Sequence, residues 1–158
     1  MVTLAALQHI DANQLDLSSL PIDVEKASPD LLKLALVVVG LDRAPPNMLH
    51  PRHENPELVK ALGGHHDAVV SQYTVWAITE NESLGLGDLG IDVRNIEQQP
   101  PNVRAWLLRL IAMTPEDAES NFEFVELGTN DPAAEARAGL ALGLRDTYFD
   151  GLEALVLY

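Results

Sequence analysis

Apolar residues recur at helical spacing in several blocks of this chain, and the blocks come in two sets. In "PNVRAWLLRLIAM", Val103, Trp106, Leu107, Leu110 and Ile111 repeat every three or four positions, which predicts a helix with Pro101 in its first turn. "SPDLLKLALVVV", from Ser28, shows the same pattern behind Pro29. "HDAVVSQYTVWAITE" places Val69, Tyr73, Trp76 and Ala77 on one predicted side, and "DPAAEARAGLALGL" does so with Ala133, Ala136, Leu140 and Leu144. The latter also sets Ala and Gly where a neighbouring helix can approach closely. "TPEDAESNFEFVEL" predicts a further helix, with Thr114 as its cap, acids in the first turn where the helix dipole favours them, and Gly128 as its stop.

The stretches between helices repeat as well. "LDLSSLPIDVEK" begins at Leu15 and "LGLGDLGIDVRN" at Leu84, so that Leu15, Leu17, Leu20, Ile22, Asp23 and Val24 fall on Leu84, Leu86, Leu89, Ile91, Asp92 and Val93, each pair 69 positions apart. The correspondence continues with Pro29 on Pro101, 72 apart, and with Leu62 on Leu127, 65 apart. The surplus of the first copy sits in the Pro-rich "RAPPNMLHPRHENP", where insertion costs little. "LGLGDLGIDV" is too rich in glycine for a helix and reads as an ordered connector whose Leu and Ile plug the gap between units. One unit is therefore a connector, a helix and a helix pair, with unit one about 15–82 and unit two about 84–150. Repeated antiparallel helices on short loops predict an all-α fold of the α-solenoid kind.

"LGTNDPAAEARAGLALGL" resembles the second half of a HEAT-type repeat, in which an Asp-Pro turn precedes a helix bearing an Arg, small residues and then Ala-Leu-Gly. Asp131, Pro132, Arg137, Ala138, Ala141, Leu142 and Gly143 match in order. The first copy keeps Asp67, Ala77 and Ile78, lacks the Pro, and has Gln72 near the Arg position. The resemblance implies a HEAT-like α-solenoid of about two repeat units with Gly-rich connectors, which is an architecture and not a function. Neither end shows the polar cap a solenoid needs, so the chain is expected to be part of a longer protein. The apolar "LEALVLY" is expected to pack back on the last repeat or on another copy of the chain.

Composition narrows the picture. Aromatics are only 5% of a chain that is 47% apolar, so Leu, Val, Ile and Ala must fill the core, which suits packed helices. There is no cysteine, hence no disulfide and no thiolate metal site, in keeping with a reducing compartment. No apolar run approaches the ~20 residues of a membrane span, and the start of the chain lacks a signal pattern; the expected setting is cytoplasmic, with no membrane contact. The net charge is −14, and between Thr114 and Tyr158 ten acids face only Arg137 and Arg145. Such a surface repels polyanions, so any nucleic-acid binding is expected to be weak and salt-sensitive, and a basic protein partner is favoured.

Candidate chemistry is sparse. His50, His53, His65 and His66 cluster in "HPRHENPELVKALGGHH", with Glu54 or Asp67 as oxygen donors, and could hold a metal; the second copy has no histidines at matching positions, so a solvated loop is favoured. The deoxyhypusine hydroxylases, a HEAT-like family, use several His-Glu pairs on successive helices, whereas this chain has His53-Glu54 alone in a loop. Asp23 and Asp92 recur in the connectors, as partner-binding carboxylates or, the favoured reading, as caps of a following turn. Glu123 and Glu126 of the acidic half are further partner-binding candidates. Trp76 and Trp106 read as core before interface anchors, and Arg104, Arg109 and Arg137 as bridges to acids before a phosphate groove. No nucleophile elbow, phosphate loop or dinucleotide fingerprint occurs, so no catalytic or cofactor residue is assigned. The favoured role is a protein-interaction or scaffold module, binding a partner or a neighbouring domain. The alternatives are a HEAT-like enzyme of the bilin lyase or metal hydroxylase type, and a nucleic-acid-binding solenoid.

Overall fold

The computed structural model describes residues 22–41, 56–81, 84–114 and 118–156, and their side chains except at 41, 118–122 and 148–156. Every regular element among these residues is a helix, and the fold is all-α. In chain order they are α1 (Pro29–Leu41), α2 (Pro56–Gly63), α3 (Ala68–Glu80), short 3-10 segments Leu86–Asp88 and Val93–Gln98, α4 (Pro101–Met113), α5 (Ala118–Thr129) and α6 (Ala134–Val156). None of the described helices is long and apolar enough to cross a membrane.

Local chemistry sets where these helices begin. Pro29, Pro56 and Pro101 open α1, α2 and α4, where a missing N–H is harmless and φ is already helical. The Asp67 carboxylate caps α3 by accepting from Val69 N (2.8 Å) and Val70 N (3.3 Å). Those two N–H groups hold its carboxyl below the usual carboxylate range. The aligned phrases also share geometry. Asp23 Oδ1 accepts from Glu25 N at 3.2 Å and Asp92 Oδ1 from Arg94 N at 3.1 Å, the same turn in both connectors. Helices α1 and α4, whose starts are 72 positions apart, have 13 residues each.

The long helices form a row in the order α1, α3, α4, α6. Their contacts advance together along each pair. Gly40 meets Trp76 and Ala77, while Lys33, further back on α1, lies within electrostatic reach of Asp67 and Tyr73. Asn102 at the start of α4 donates to Ala68 O and Gln72 Oε1 at the start of α3. Ala105, Arg109 and Ala112 meet Gly139, Gly143 and Thr147 in turn. The four helices of the row are thus parallel, and something must carry the chain back before each new one. Between α3 and α4 that return is the glycine-rich connector; between α4 and α6 it includes α5, joined to α6 by the turn 130–133. The expected antiparallel pairing therefore does not describe the neighbours in the row.

The connector returns through the core, where Leu89, Ile91 and Ile96 are buried, as plugs should be. Gly90 is needed there because a Cβ would strike Lys60 O of α2. Helix α4 is enclosed on most sides, with Val103, Arg104, Leu107, Leu108, Leu110 and Ile111 buried and Trp106 half-buried. On α6, Ala136 and Leu140 are buried as expected.

Two expectations need correction. Val69 of α3 is exposed, because this helix lies between α1 and α4 and buries Val70, Ser71, Thr74, Val75 and Ile78 besides the expected Ala77. Its buried hydroxyls are satisfied locally, Ser71 donating to Gly63 O and Thr74 to Val70 O. Gly128 does not stop α5, which runs to Thr129; it is a contact point against Leu108 and Leu140. Thr114 follows α4 as its C-cap and donates its hydroxyl to Leu110 O, while residues 115–117, which would show whether it also caps α5, lie outside the described ones. The apolar "LEALV" is helical as the end of α6, and how its side chains pack lies outside the description.

Candidate functional site

The C-terminal turn of α5, the start of α4 and the turn into α6 enclose a groove of about 480 Å³ with the 3-10 segment Val93–Gln98. Among the described residues its lining carries Glu97, Glu123, Glu126 and Asp131 against a single cation, Arg104.

Arg104 is not free. It points from the first turn of α4 into a buried bidentate pair, Nε to Asp131 Oδ2 at 2.7 Å and Nη2 to Asp131 Oδ1 at 2.8 Å. Its Nη1 donates to Gln99 O at 2.7 Å, tying connector to helix. Asp131 also accepts from Ala133 N at 2.8 Å, and the Arg137 guanidinium donates to the backbone O of Asp131 and Pro132. The bidentate bond raises the Arg104 pKa above its usual value and holds the Asp131 carboxyl below its own. Both side chains are nearly enclosed, with residue exposures of 8% and 6%.

With that pair closed on itself, the groove keeps Glu97, Glu123 and Glu126 as exposed carboxylates. None of the three has an ion-pair partner among the described residues. An apolar floor at Leu127 and the polar edge of Asn130 complete the lining. Chemically, the groove can accept hydrogen bonds and neutralise cations.

The structure thus brings Glu123 and Glu126 to one rim and adds Glu97, which the sequence reading did not single out. Asp23 and Asp92 lie outside this lining and cap their turns; Asp23 also pairs with Lys26 at 2.7 Å. His50 and His53 lie outside the described residues. His65 and His66 stack with ring centroids 4.2 Å apart, and His65 Nδ1 accepts from Asp67 N. No group of three or more His, Asp or Glu among the described residues is arranged to hold a metal ion. Arg104 and Arg109 do bridge, to Asp131 and Asp146. No family model, curated protein or solved structure matches the chain.

Proposed function

We propose that this chain is a non-catalytic protein-interaction module, built as a HEAT-like α-solenoid of two units, whose acidic groove holds a Lys/Arg-rich segment of a partner protein. The observation that carries the reading is the trio Glu97, Glu123 and Glu126, exposed around one groove whose lining cation among the described residues, Arg104, is already neutralised by Asp131. A bound Lys or Arg side chain can lay its stem on Leu127 and its charge among the carboxylates. The net charge of −14 speeds encounter with such a partner.

Calorimetric titration with a Lys/Arg-rich peptide tests this. Binding should be saturable at low salt and weaken as the Debye length shrinks to about 8 Å at physiological ionic strength. Reversing charge at Glu97, Glu123 and Glu126 together should abolish it, each exposed contact being worth about 0.2–1 kcal/mol. Undiminished binding by the triple reversal, or equal binding of an acidic peptide, would sink the proposal.

A further inference from the structure

A second groove lies across α1, α3 and α4, shares no lining residue with the acidic one and is lined by Val37, Gln72, Tyr73, Trp76 and Trp106, with a volume of about 390 Å³. It holds both tryptophans of the chain. Both are held in place. The Cζ3–Cη2 edge of Trp76 rests on Gly40 of α1, at 2.8–3.0 Å from where a Cβ would stand, so the opposite N–H edge turns away from α1. Tyr73 meets Trp76 edge to face at 6.0 Å. Trp106 carries the Arg109 guanidinium 5.1 Å from its ring centre, and Asp146 holds that guanidinium at 3.1 Å.

The polar groups of this groove share one character. Neither indole N–H is buried, and neither they nor the Tyr73 hydroxyl bond to another described residue. Gln72 spends its carbonyl oxygen on Asn102 Nδ2 at 2.8 Å, which leaves its amide N–H groups. Of the nearby charges, Lys33 pairs with Asp30 at 2.7 Å, and Arg109 shares Asp146 with Arg145. Among the described residues the lining therefore offers aromatic faces, hydrogen-bond donors and the Tyr73 hydroxyl, with no charged side chain.

We propose that this groove binds a proline-rich segment of a partner protein in the polyproline II conformation. Such a segment presents rings for aromatic faces and backbone carbonyls as acceptors, brings no proline N–H to compete for them, and is extended before it binds. A cationic segment would find no carboxylate among the lining residues to neutralise it, and an apolar helix would leave the indole N–H groups without acceptors. The proposal is independent of the acidic groove.

Because the only tryptophans line the groove, intrinsic fluorescence reports its occupancy. Titrating the full chain with an acetylated decaproline peptide should shift the emission saturably. Gln72→Glu, which keeps the bond from Asn102 and replaces donors by an acceptor, should weaken binding about tenfold, the upper effect of one hydrogen bond. Tyr73→Phe should weaken it less, and Trp106→Phe should remove most of it with the far-ultraviolet dichroism unchanged. Charge reversal at Glu123 and Glu126 should leave decaproline binding as it was. No saturable shift, undiminished binding by Gln72→Glu, or tighter binding of a Leu-based amphipathic helix or of a Lys/Arg-rich peptide at this groove would each overturn the proposal.

Discussion

Asp131→Ala will be among the most damaging single substitutions in this protein, costing about 3–5 kcal/mol of stability, because it leaves the Arg104 charge buried without its partner. The same change removes the acceptor of Ala133 N and loosens the turn into α6. Chemical denaturation should show the midpoint falling with an unchanged slope. Replacing both partners by apolar residues, Arg104→Met with Asp131→Leu, should recover much of the loss, since the cost lies chiefly in an uncompensated charge. If Asp131→Ala is within about 0.5 kcal/mol of the parent, as surface changes usually are, the pair does not hold α4 to the turn.

The pair also gives the fold an acid-sensitive side. Asp131 is held down first by its bond with Arg104, Asp146 first by Arg145, and Asp67 by two backbone N–H groups. Each carboxyl has a folded pKa below its unfolded one, so its contribution is present above the unfolded value, about 3.9, and lost as pH falls through the folded value. Melting temperature should be flat near neutral pH and drop below about pH 5. In Asp131→Asn the drop should be shallower; an identical acid profile would remove Asp131 from this account.

Gly139→Leu should be comparably harmful. A Cβ at Gly139 would run into Ala105 O, and one turn on, a Cβ at Gly143 would stand 2.5 Å from Arg109 O. These atoms belong to helix backbone, so the clash can be relieved only by separating α6 from α4. Overpacking of a well-packed core costs about 1–3 kcal/mol and more where the backbone must move, so a loss of at least about 3 kcal/mol is expected. Leu142→Ala, on the exposed side of the same helix, should stay within about 0.5 kcal/mol. Equal effects of the two would mean that α6 and α4 do not meet through these glycines.

That close approach was legible in the sequence, since "AGLALG" places its small residues a helical turn apart. So were the plugs Leu89 and Ile91, and the helix openings at Pro29 and Pro101, because each rests on a short-range rule. What was not legible depends on how helices sit beside one another. The exposure of Val69 is not legible because α3 has neighbours on both flanks, and apolar periodicity marks one buried side only. The parallel row is invisible to a pattern that records spacing along the chain and not direction in space. The acidic groove was half legible: Glu123 and Glu126 belong to an evidently acidic stretch, whereas Glu97 joins them only through the path of the connector. Arg104 left a signal that could have been used, a charge among Val103, Leu107 and Leu108 on a buried helix, which demands a buried acid; the Asp-Pro turn supplied Asp131.

Residue-by-residue amide shift mapping during titration with a Lys/Arg-rich peptide tests the central claim most directly. The acidic-groove account predicts saturable shifts concentrated at Glu97, Glu123, Glu126 and Asn130, shrinking with added salt and absent in the triple charge reversal. Shifts centred elsewhere on the protein, or none at peptide concentrations well above micromolar, would contradict it.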